Sequence, residues 1–569
     1  MAQQLYFSRD TRMFVQFRNT TDNSEAAANL GKGALWEIPI LDGYSFSQTT
    51  NTSEITLAEM ESTAGISRRG RRMFTDSLAP AEFSFSTYIR PFKSVGQNAI
   101  QTNDYDGVKG AEPAAQTGVH SIEEVLWAAM CGADKYIANS SLMKFRRNVA
   151  PVSGSESDVI TPSANESTIV FTESNRSAMH SFTIFFLIDT ATSNPLAYRL
   201  PECVVNEVSI DFDVDGIATL NWTGFAKEVQ DWSQKLSVSS RHDATVAAGN
   251  LSGGAGSRVD DTAIDEGDLV IDTGNSRAVS IVNDATGTQA AVTQAIDEAT
   301  TSTANFIRNR LTSVGIETAD AADKVVGTFP GSYVTIASYT TSTITATAHG
   351  FSAGDQVYIS GATGNTTLNG THYYVGAVST NTFKLYDTYA KGVAGSSDQE
   401  TLSATSYSAN SGTAANGKYS LTLTGGSFNI GNNISYLVPE ELGAINKPLD
   451  AVTGTRTAGG AATCYLTLED SDTSNGTSRQ FFNDMVSTGA MGKVVNKFKV
   501  TMDIGGSTAA ASGTTDPAVK IQFPTAHIEV PTHSIEDVIS LETNFTALPT
   551  DFGTANEITS VIYYPPSAY

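Results

Sequence analysis

The feature of this sequence that most constrains its fold is a faint internal repeat, in which similar elements occur in the same order in both halves. Residues 43–57 align without gaps with residues 425–439. The aligned pairs include Phe46 with Phe428, Ser121 with Ser478, Gly132 with Gly489 and Pro201 with Pro524. Each match is weak, but the shared order is harder to obtain by chance. The sequence therefore predicts a duplicated domain.

Short runs that alternate apolar and polar residues fill most of the chain and predict half-buried strands. The run Phe182–Ile188 is apolar almost throughout, which predicts a strand that is buried on both faces. The sequence thus predicts a mainly β protein with few helices.

Two segments have the spacing of short helices. Ser121 and Glu124 match a capping box, so the first helix is expected to begin at Ser121 and to end at Gly132. The second is expected near residues 478–487, where Phe481, Phe482 and Met485 have helical spacing.

The repeat and the turn residues divide the chain into four parts. Residues 1–232 are predicted to form the first domain, and residues 233–303, which are small and polar, a linker or surface excursion. Residues 304–330 and 387–569 form the second domain, interrupted by a small β-module at 331–386. Each large domain is expected to be a β-sandwich or barrel with one flanking helix.

Composition excludes several function classes. The 569 residues carry a net charge of −25, and generalised nucleic-acid binding needs the opposite sign. No apolar run reaches the roughly 20 residues that span a bilayer, and the N-terminus has no secretory pattern. Three widely spaced cysteines, Cys131, Cys203 and Cys464, predict a reducing compartment and synthesis in the cytoplasm.

The catalytic and metal motifs fail in their sequence context. Residues 350–354 match G-x-S-x-G, but a predicted strand follows where a nucleophile elbow needs a helix. The seven histidines make no zinc pattern. Residues 211–216 resemble the first half of an EF-hand loop, but its twelfth position is Trp222. We therefore expect no enzyme activity, no cofactor and no metal.

Two charged clusters remain as candidate functional residues. Strand alternation places Asp211, Asp213 and Asp215 on one sheet face, with Ile210, Phe212 and Val214 on the other. This face is either simply solvated or a wall that repels phosphate. The second cluster comprises Arg68, Arg69, Arg71 and Arg72, and it could contact an acidic neighbouring subunit, bind phosphate or remain solvated.

Three segments resemble the tail tube proteins of long-tailed bacteriophages. Residues 198–227 are similar to the sheet-forming core of that family, residues 41–92 to its early strands and long stacking loop, and residues 520–549 to a second copy of the core. The resemblance covers about residues 10–228 and 304–569. Some members carry two fused tube domains, and the inserted module is similar to small β-modules of phage structural proteins.

The resemblance implies a structural virion protein of the tail, assembled in the host cytoplasm. Three chains would close into a ring of six domains, and rings would stack into a tube through which DNA passes without specific binding. Expected partners are further copies and the terminator, tape measure and baseplate or tip proteins, without membrane insertion. In this reading, Asp211, Asp213, Asp215, Glu536 and Asp537 line the channel, and the four arginines bridge subunits. The alternative function is a surface carbohydrate-binding or adhesin-like β-protein.

Overall fold

The computed structural model shows a mainly β protein whose largest sheet has 22 strands. The structure describes residues 6–17, 35–54, 73–93, 118–137, 144–148, 156–163, 166–171, 179–190, 195–239, 267–272, 277–286, 289–294, 296–297, 306–318, 333–351, 353, 356–362, 368, 372–386, 391–392, 395, 399–400, 402, 412–416, 418–421, 423–439, 446–467, 478–486, 498–505, 517–535, 538–549 and 555–565.

The first half contains one α-helix, α1 (Glu124–Met130), among its described residues. Its strands are β1 (Thr11–Phe17), β2 (Leu35–Ile38), β3 (Ser45–Ser47), β4 (Thr50–Glu54), β5 (Met73–Leu78), β6 (Ala81–Tyr88), β7 (Pro91–Lys93), β8 (Val119–Ser121), β9 (Lys135–Ile137), β10 (Lys144–Asn148), β11 (Glu156–Pro162), β12 (Ser167–Val170), β13 (Phe182–Ile188), β14 (Leu196–Asp213), β15 (Thr219–Ala226) and β16 (Gln230–Asp231).

The rest of the described chain contains the helix α2 (Ser478–Val486). Its strands are β17 (Leu236–Ser239), β18 (Leu269–Asp272), β19 (Ala278–Thr286), β20 (Gln289–Gln294), β21 (Ile296–Asp297), β22 (Ser313–Thr318), β23 (Tyr333–Thr335), β24 (Ser338–Tyr339), β25 (Ile344–Thr345), β26 (Gln356–Ser360), β27 (His372–Gly376), β28 (Thr382–Tyr386), β29 (Thr413–Asn416), β30 (Lys418–Leu421), β31 (Leu423–Gly431), β32 (Ser435–Leu437), β33 (Asp450–Val452), β34 (Thr457–Tyr465), β35 (Phe498–Gly505), β36 (Ala518–Ile528), β37 (Thr532–Ile535), β38 (Ile539–Ala547) and β39 (Ser560–Tyr564).

Antiparallel pairing joins the main strands of the first half in the order β2, β1, β13, β14, β15, β6, β3. The alternation of the sequence sets which face is buried. In β6, for example, Phe83 and Phe85 are buried on one face, while Glu82 on the other face is exposed. The strand β14 is 18 residues long and pairs with β13 through its first part and with β15 through its second.

The strands of the second half follow a matching order, β30, β22, β35, β36, β38, β34, β31, again antiparallel. The helix also falls at the same place along the chain, α1 before β13 and α2 before β35. The two halves thus use similar elements in the same hydrogen-bonded sequence.

The two halves share one sheet and one core. The end of β14 pairs with β31, so that Ile210 lies opposite Phe428 and Phe212 opposite Gly426. A second link is the pairing of β12 with β39. Buried apolar residues of both halves belong to a single cluster. A β-carbon on Gly426 would lie 2.6 Å from the Phe212 ring, so only glycine leaves room for that ring.

The first helix begins later than the capping box predicts. Ser121 belongs to β8, where it pairs with Pro91, and the N-cap position is held by Glu123, which makes no side-chain capping bond. The Glu124 carboxylate instead contacts His120 Nδ1 at 2.9 Å. The predicted end is confirmed, because Gly132 has φ +75° and Ala133 N donates to Ala128 O at 2.9 Å. The helix α2 lies where the sequence predicts it.

Within the predicted linker or excursion, the described residues form a four-stranded sheet, β17 to β20. Its apolar side chains pack on the outer face of β1, β2 and β13, which would otherwise be exposed. The cluster comprises Phe14, Leu35, Phe185, Leu187, Ala197, Leu269, Ile271, Val279 and Ile281. This cover explains why β13 is buried on both faces, as the sequence predicts.

The inserted region is a seven-stranded sheet in the order β23, β29, β26, β27, β28, β25, β24. Its core is separate from the main core and includes Val357, Ile359, Phe383, Leu402 and Ala414. The sheet therefore extends beyond the predicted boundary at residue 386. The reason is that β29 supplies the partner that lies between β23 and β26.

Candidate functional site: an acidic sheet face with two open edges

One continuous sheet surface crosses both halves, in the strand order β3, β6, β15, β14, β31, β34, β38, β37. We call it the bridging sheet. Its inner face carries the large apolar side chains of the main core, and its outer face carries small polar and acidic ones. Because strand residues alternate between faces, one sequence pattern builds both surfaces.

The outer face of the bridging sheet is acidic. Asp211 and Asp213 are exposed there, opposite the buried Ile210 and Phe212, as alternation predicts. Three further carboxylates, Glu82, Glu207 and Glu542, share the face. Among the described residues of β3, β6, β15, β31, β34, β37, β38 and the 204–213 part of β14, there is no lysine or arginine. The face therefore carries negative charge without the cations that would neutralise it locally.

The third predicted aspartate lies beyond the strand. The strand β14 ends at Asp213, and Asp215 is exposed in the turn that leads to β15. Val214, predicted on the core face, is 45% exposed, because alternation ends where the strand ends. Glu536 and Asp537 lie outside the described residues.

Hydroxyl and amide groups occupy much of the remaining outer face. The Ser86 hydroxyl donates to Asn221 Oδ1 at 2.7 Å, and the Ser45 and Ser84 hydroxyls lie 2.8 Å apart. These four side chains are neutral and already hydrogen-bonded in pairs. The surface repels a polyanion by the charge of its carboxylates.

The inner face is supported by helix α1. The Trp127 ring packs edge-on against Trp222 at 5.1 Å, and Trp222 Nε1 donates to Thr87 Oγ1 at 3.0 Å. Trp222 is thus a core residue of β15, and residues 211–222 form a hairpin instead of a calcium loop. The described part of the chain contains no group of three or more His, Cys, Asp or Glu side chains that could hold a metal.

A buried polar cluster joins the two halves behind the sheet. Tyr563, in the last strand, donates to Glu123 Oε1 at 2.7 Å and accepts from Trp127 Nε1 at 2.6 Å. Burial raises the pKa of Glu123 from 4.5 to about 7, a rise that the Tyr563 hydrogen bond and Arg90 partly offset. The cluster fixes the last strand against α1 and has no open route to a substrate, since all three side chains are buried.

Two hairpin arms extend from the same end of the bridging sheet. The first is β4–β5 and the second β32–β33. They touch through Asn446, whose carbonyl accepts from Leu78 N at 2.9 Å. Their exposed apolar residues are Met73, Phe74, Leu437, Leu449 and Val452. The four arginines at 68, 69, 71 and 72 lie between β4 and β5 in the sequence and outside the described residues.

The bridging sheet ends at two strands that have one neighbour each. In the described part of the chain, β3 pairs with β6 alone and β37 with β38 alone. All four residues of β37 are exposed, and Ile535 is 79% exposed. Such edges present free backbone donors and acceptors for pairing with another strand.

The sequence does not single out Glu82, Glu207, Glu542 or the open edge at Ile535. The three glutamates each fall at a polar position of an alternating strand, which is a signal for the outer face. Which strands lie side by side is set by pairing between distant segments, and this information is absent from the local pattern. The G-x-S-x-G segment is followed by β26, a strand, as the sequence predicts.

No helix in the described ranges is long and apolar enough to cross a bilayer.

Part of the chain is similar in sequence to a known phage protein. The chain is similar to "Tail tube protein pb6" of Escherichia phage T5, at 32% identity over 142 residues. The matched segment covers 25% of this chain and 28% of that relative's length. No family model matches the chain. The resemblance to tail tube proteins is thereby confirmed.

Proposed function

We propose, from this similarity, that the chain is a structural protein of a phage tail, which self-assembles into stacked rings and forms the tube for genome delivery. The observation that carries the proposal is the bridging sheet, since an acidic face with open edges suits a wall built from several chains. The role needs no catalytic group and no cofactor.

We propose further that the two halves are tube domains related by duplication. The support is the matching strand order and the equivalent place of the helix in each half. Three chains would then give a ring of six similar domains. The sheet formed by β17 to β20 and the inserted seven-stranded module are additions to this plan, and we place both outside the channel.

The outer face of the bridging sheet is proposed to face the channel. Asp211 and Asp213 lie near its centre, and Asp215 lies at its rim. Carboxylates at this surface repel the phosphates of passing DNA, so the genome slides without binding. Glu536 and Asp537 are proposed to contribute at the corresponding end of the second half.

The two hairpin arms are proposed to contact the neighbouring ring. Their exposed apolar residues need cover, and the four arginines of the first arm can pair with carboxylates of an adjacent acidic chain. The terminator, tape measure and baseplate or tip proteins are the expected partners at the tube ends.

The inserted module supports the second candidate function in part. It has its own core, so it can act as an independent carbohydrate-binding or adhesin-like module on the outside of a tube. In that case the tube role and the binding role belong to different parts of one chain.

Electron microscopy of the purified chain tests the proposal. We expect stacked rings with a central channel, whereas isolated particles at all protein concentrations would refute it.

A second test replaces Asp211, Asp213 and Asp215 with lysine and measures how much short duplex DNA the assembled tubes retain at low salt. Retention should rise steeply, and replacement of the same three residues with asparagine should give an intermediate value. Equal retention by all three proteins would place the aspartates away from the channel.

A further inference from the structure

The pairing of β14 with β31 is a junction between two similar halves, and it lies within one chain. Residues Glu207 to Asp213 run antiparallel to Gly425 to Gly431. The junction covers Phe212 and Phe428, which are 2% and 1% exposed. It therefore shows how the end of one half completes the edge of the next.

The strand ladders fix which residues of the two halves are equivalent. Ser209 pairs with Asn221 in the first half, and Thr532 pairs with Glu542 in the second. In the next ladder, Asn221 pairs with Ser86 and Glu542 with Thr463. The alignment of Pro201 with Pro524 makes Ser209 equivalent to Thr532. The alignment of Phe46 with Phe428 independently makes Ser86 equivalent to Thr463, so the register is preserved across successive strands of each half. By this register, β37 is equivalent to the 209–212 part of β14.

The other side of the junction is fixed in the same way. Phe46 pairs with Phe83 in β6, and Phe428 pairs with Gly460 in β34. The strand β3 is therefore equivalent to the 427–429 part of β31. The first half thus has an edge strand, β3, that is equivalent to the part of β31 that β14 covers. The second half has a strand, β37, that is equivalent to the part of β14 that covers β31.

Burial shows that both of these elements lack their cover in a single chain. Ile535, equivalent to Phe212, is 79% exposed, and Val530 and Val538 on either side of β37 are 45% and 59% exposed. Phe46 is only partly buried, whereas its equivalent Phe428 is buried. An exposed apolar edge strand of this kind favours association.

We infer that β37 pairs antiparallel with residues 44–47 of a second copy of this chain, in the register of the β14–β31 junction. His533 would lie opposite Phe46, Ser534 opposite Ser45 and Ile535 opposite Tyr44. The partner is thus defined by strand pairing and by apolar cover. The inference deepens the proposed function, because the same contact repeated between chains would close the ring.

Side-chain sizes fit this pairing. Within the chain, the large Phe212 lies opposite Gly426, and at the inferred contact the smaller Ile535 lies opposite the larger Tyr44. The Tyr44 side chain is already held in place, since its ring stacks on Phe186 at 5.2 Å and its hydroxyl lies 2.7 Å from Thr11 Oγ1. A fixed ring at the edge gives the incoming isoleucine a preformed surface.

Disulfide formation between chains tests the inferred register. In the double variant Ser45→Cys/Ser534→Cys, the two cysteines would be directly opposite each other in the strand pair. Their Cα atoms would be about 4.5 to 5.5 Å apart, a distance that a disulfide can span. The native cysteines interfere little, since all three are buried and burial raises the pKa of Cys131 to about 12 and that of Cys464 to about 11. After mild oxidation of assembled protein, we expect covalent multimers that end at the trimer on a non-reducing gel.

Two controls separate this inference from the proposed function. The variant Asp211→Cys/Ser427→Cys places thiols at the equivalent pair within one chain and should link without forming multimers. The variant Ser45→Cys/Thr532→Cys is two residues out of register and should link at least tenfold less than Ser45→Cys/Ser534→Cys. If rings or tubes form and Ser45→Cys/Thr532→Cys links as efficiently as Ser45→Cys/Ser534→Cys, the inferred contact is overturned and the proposed function stands. Chains that never associate would overturn both.

Discussion

The buried Glu123 makes the stability of this protein depend on pH in a direction that can be worked out. Its pKa is about 7 in the folded chain, against 4.5 when the carboxyl is in water. Between these two pH values Glu123 binds more protons in the folded chain than in the unfolded chain. The contribution of Glu123 to the free energy of unfolding is therefore greatest below about pH 4.5 and is lost as the pH rises through about 7. One pKa unit corresponds to about 1.4 kcal/mol, so the full cost above pH 7 is about 3 kcal/mol.

The substitution Glu123→Gln removes this titration and keeps an oxygen that can accept the Tyr563 hydrogen bond. At pH 8 the variant should be more stable than the parent by up to about 3 kcal/mol, and at pH 4.5 the difference should nearly vanish. The assay is urea unfolding followed by tryptophan fluorescence, which reports on Trp127 beside the cluster.

The exposed Glu542 provides the matched control, since Glu542→Gln disturbs no buried contact and should change the free energy of unfolding at pH 8 by less than about 0.5 kcal/mol. The reasoning is refuted if Glu123→Gln and its parent show parallel stability curves from pH 4.5 to pH 8.

Two other predictions concern the junction and the inserted module. Replacing Phe212 with alanine should lower the free energy of unfolding by about 3–5 kcal/mol, because loss of its buried ring leaves a cavity beside Gly426. Urea unfolding measures the change, and Val378→Ala, at an exposed position, is the control that should have little effect. Deleting residues 333–416 should leave a folded chain that still forms multimers by sedimentation, because the module has its own core; loss of assembly would contradict the placement of the module outside the channel.

Local pattern was enough to predict much of the fold. Alternation predicted a mainly β protein, the dense apolar run identified β13 as buried on both faces, and Gly132 marked the end of α1. It also placed Asp211 and Asp213 opposite the core. These features depend on residues that are close together in the sequence.

The features that the sequence argument missed depend on distant contacts. Ser121 matches a helix cap, but its pairing with Pro91 holds it in a strand. The small and polar residues of 233–303 predict a linker or surface excursion but not its contacts, in which Leu269, Ile271 and their neighbours cover the outer face of β13. The β14–β31 junction, which creates the bridging sheet, brings together segments from the two halves that no local pattern relates.

In the proposed ring, each chain supplies two similar domains and turns its acidic face inward. A symmetric cryo-electron microscopy reconstruction of the assembled tube measures both properties at once. We predict three chains in each ring, with Asp211 and Asp213 facing the channel. Six chains in each ring, or these aspartates on the outer surface of the tube, would contradict the account.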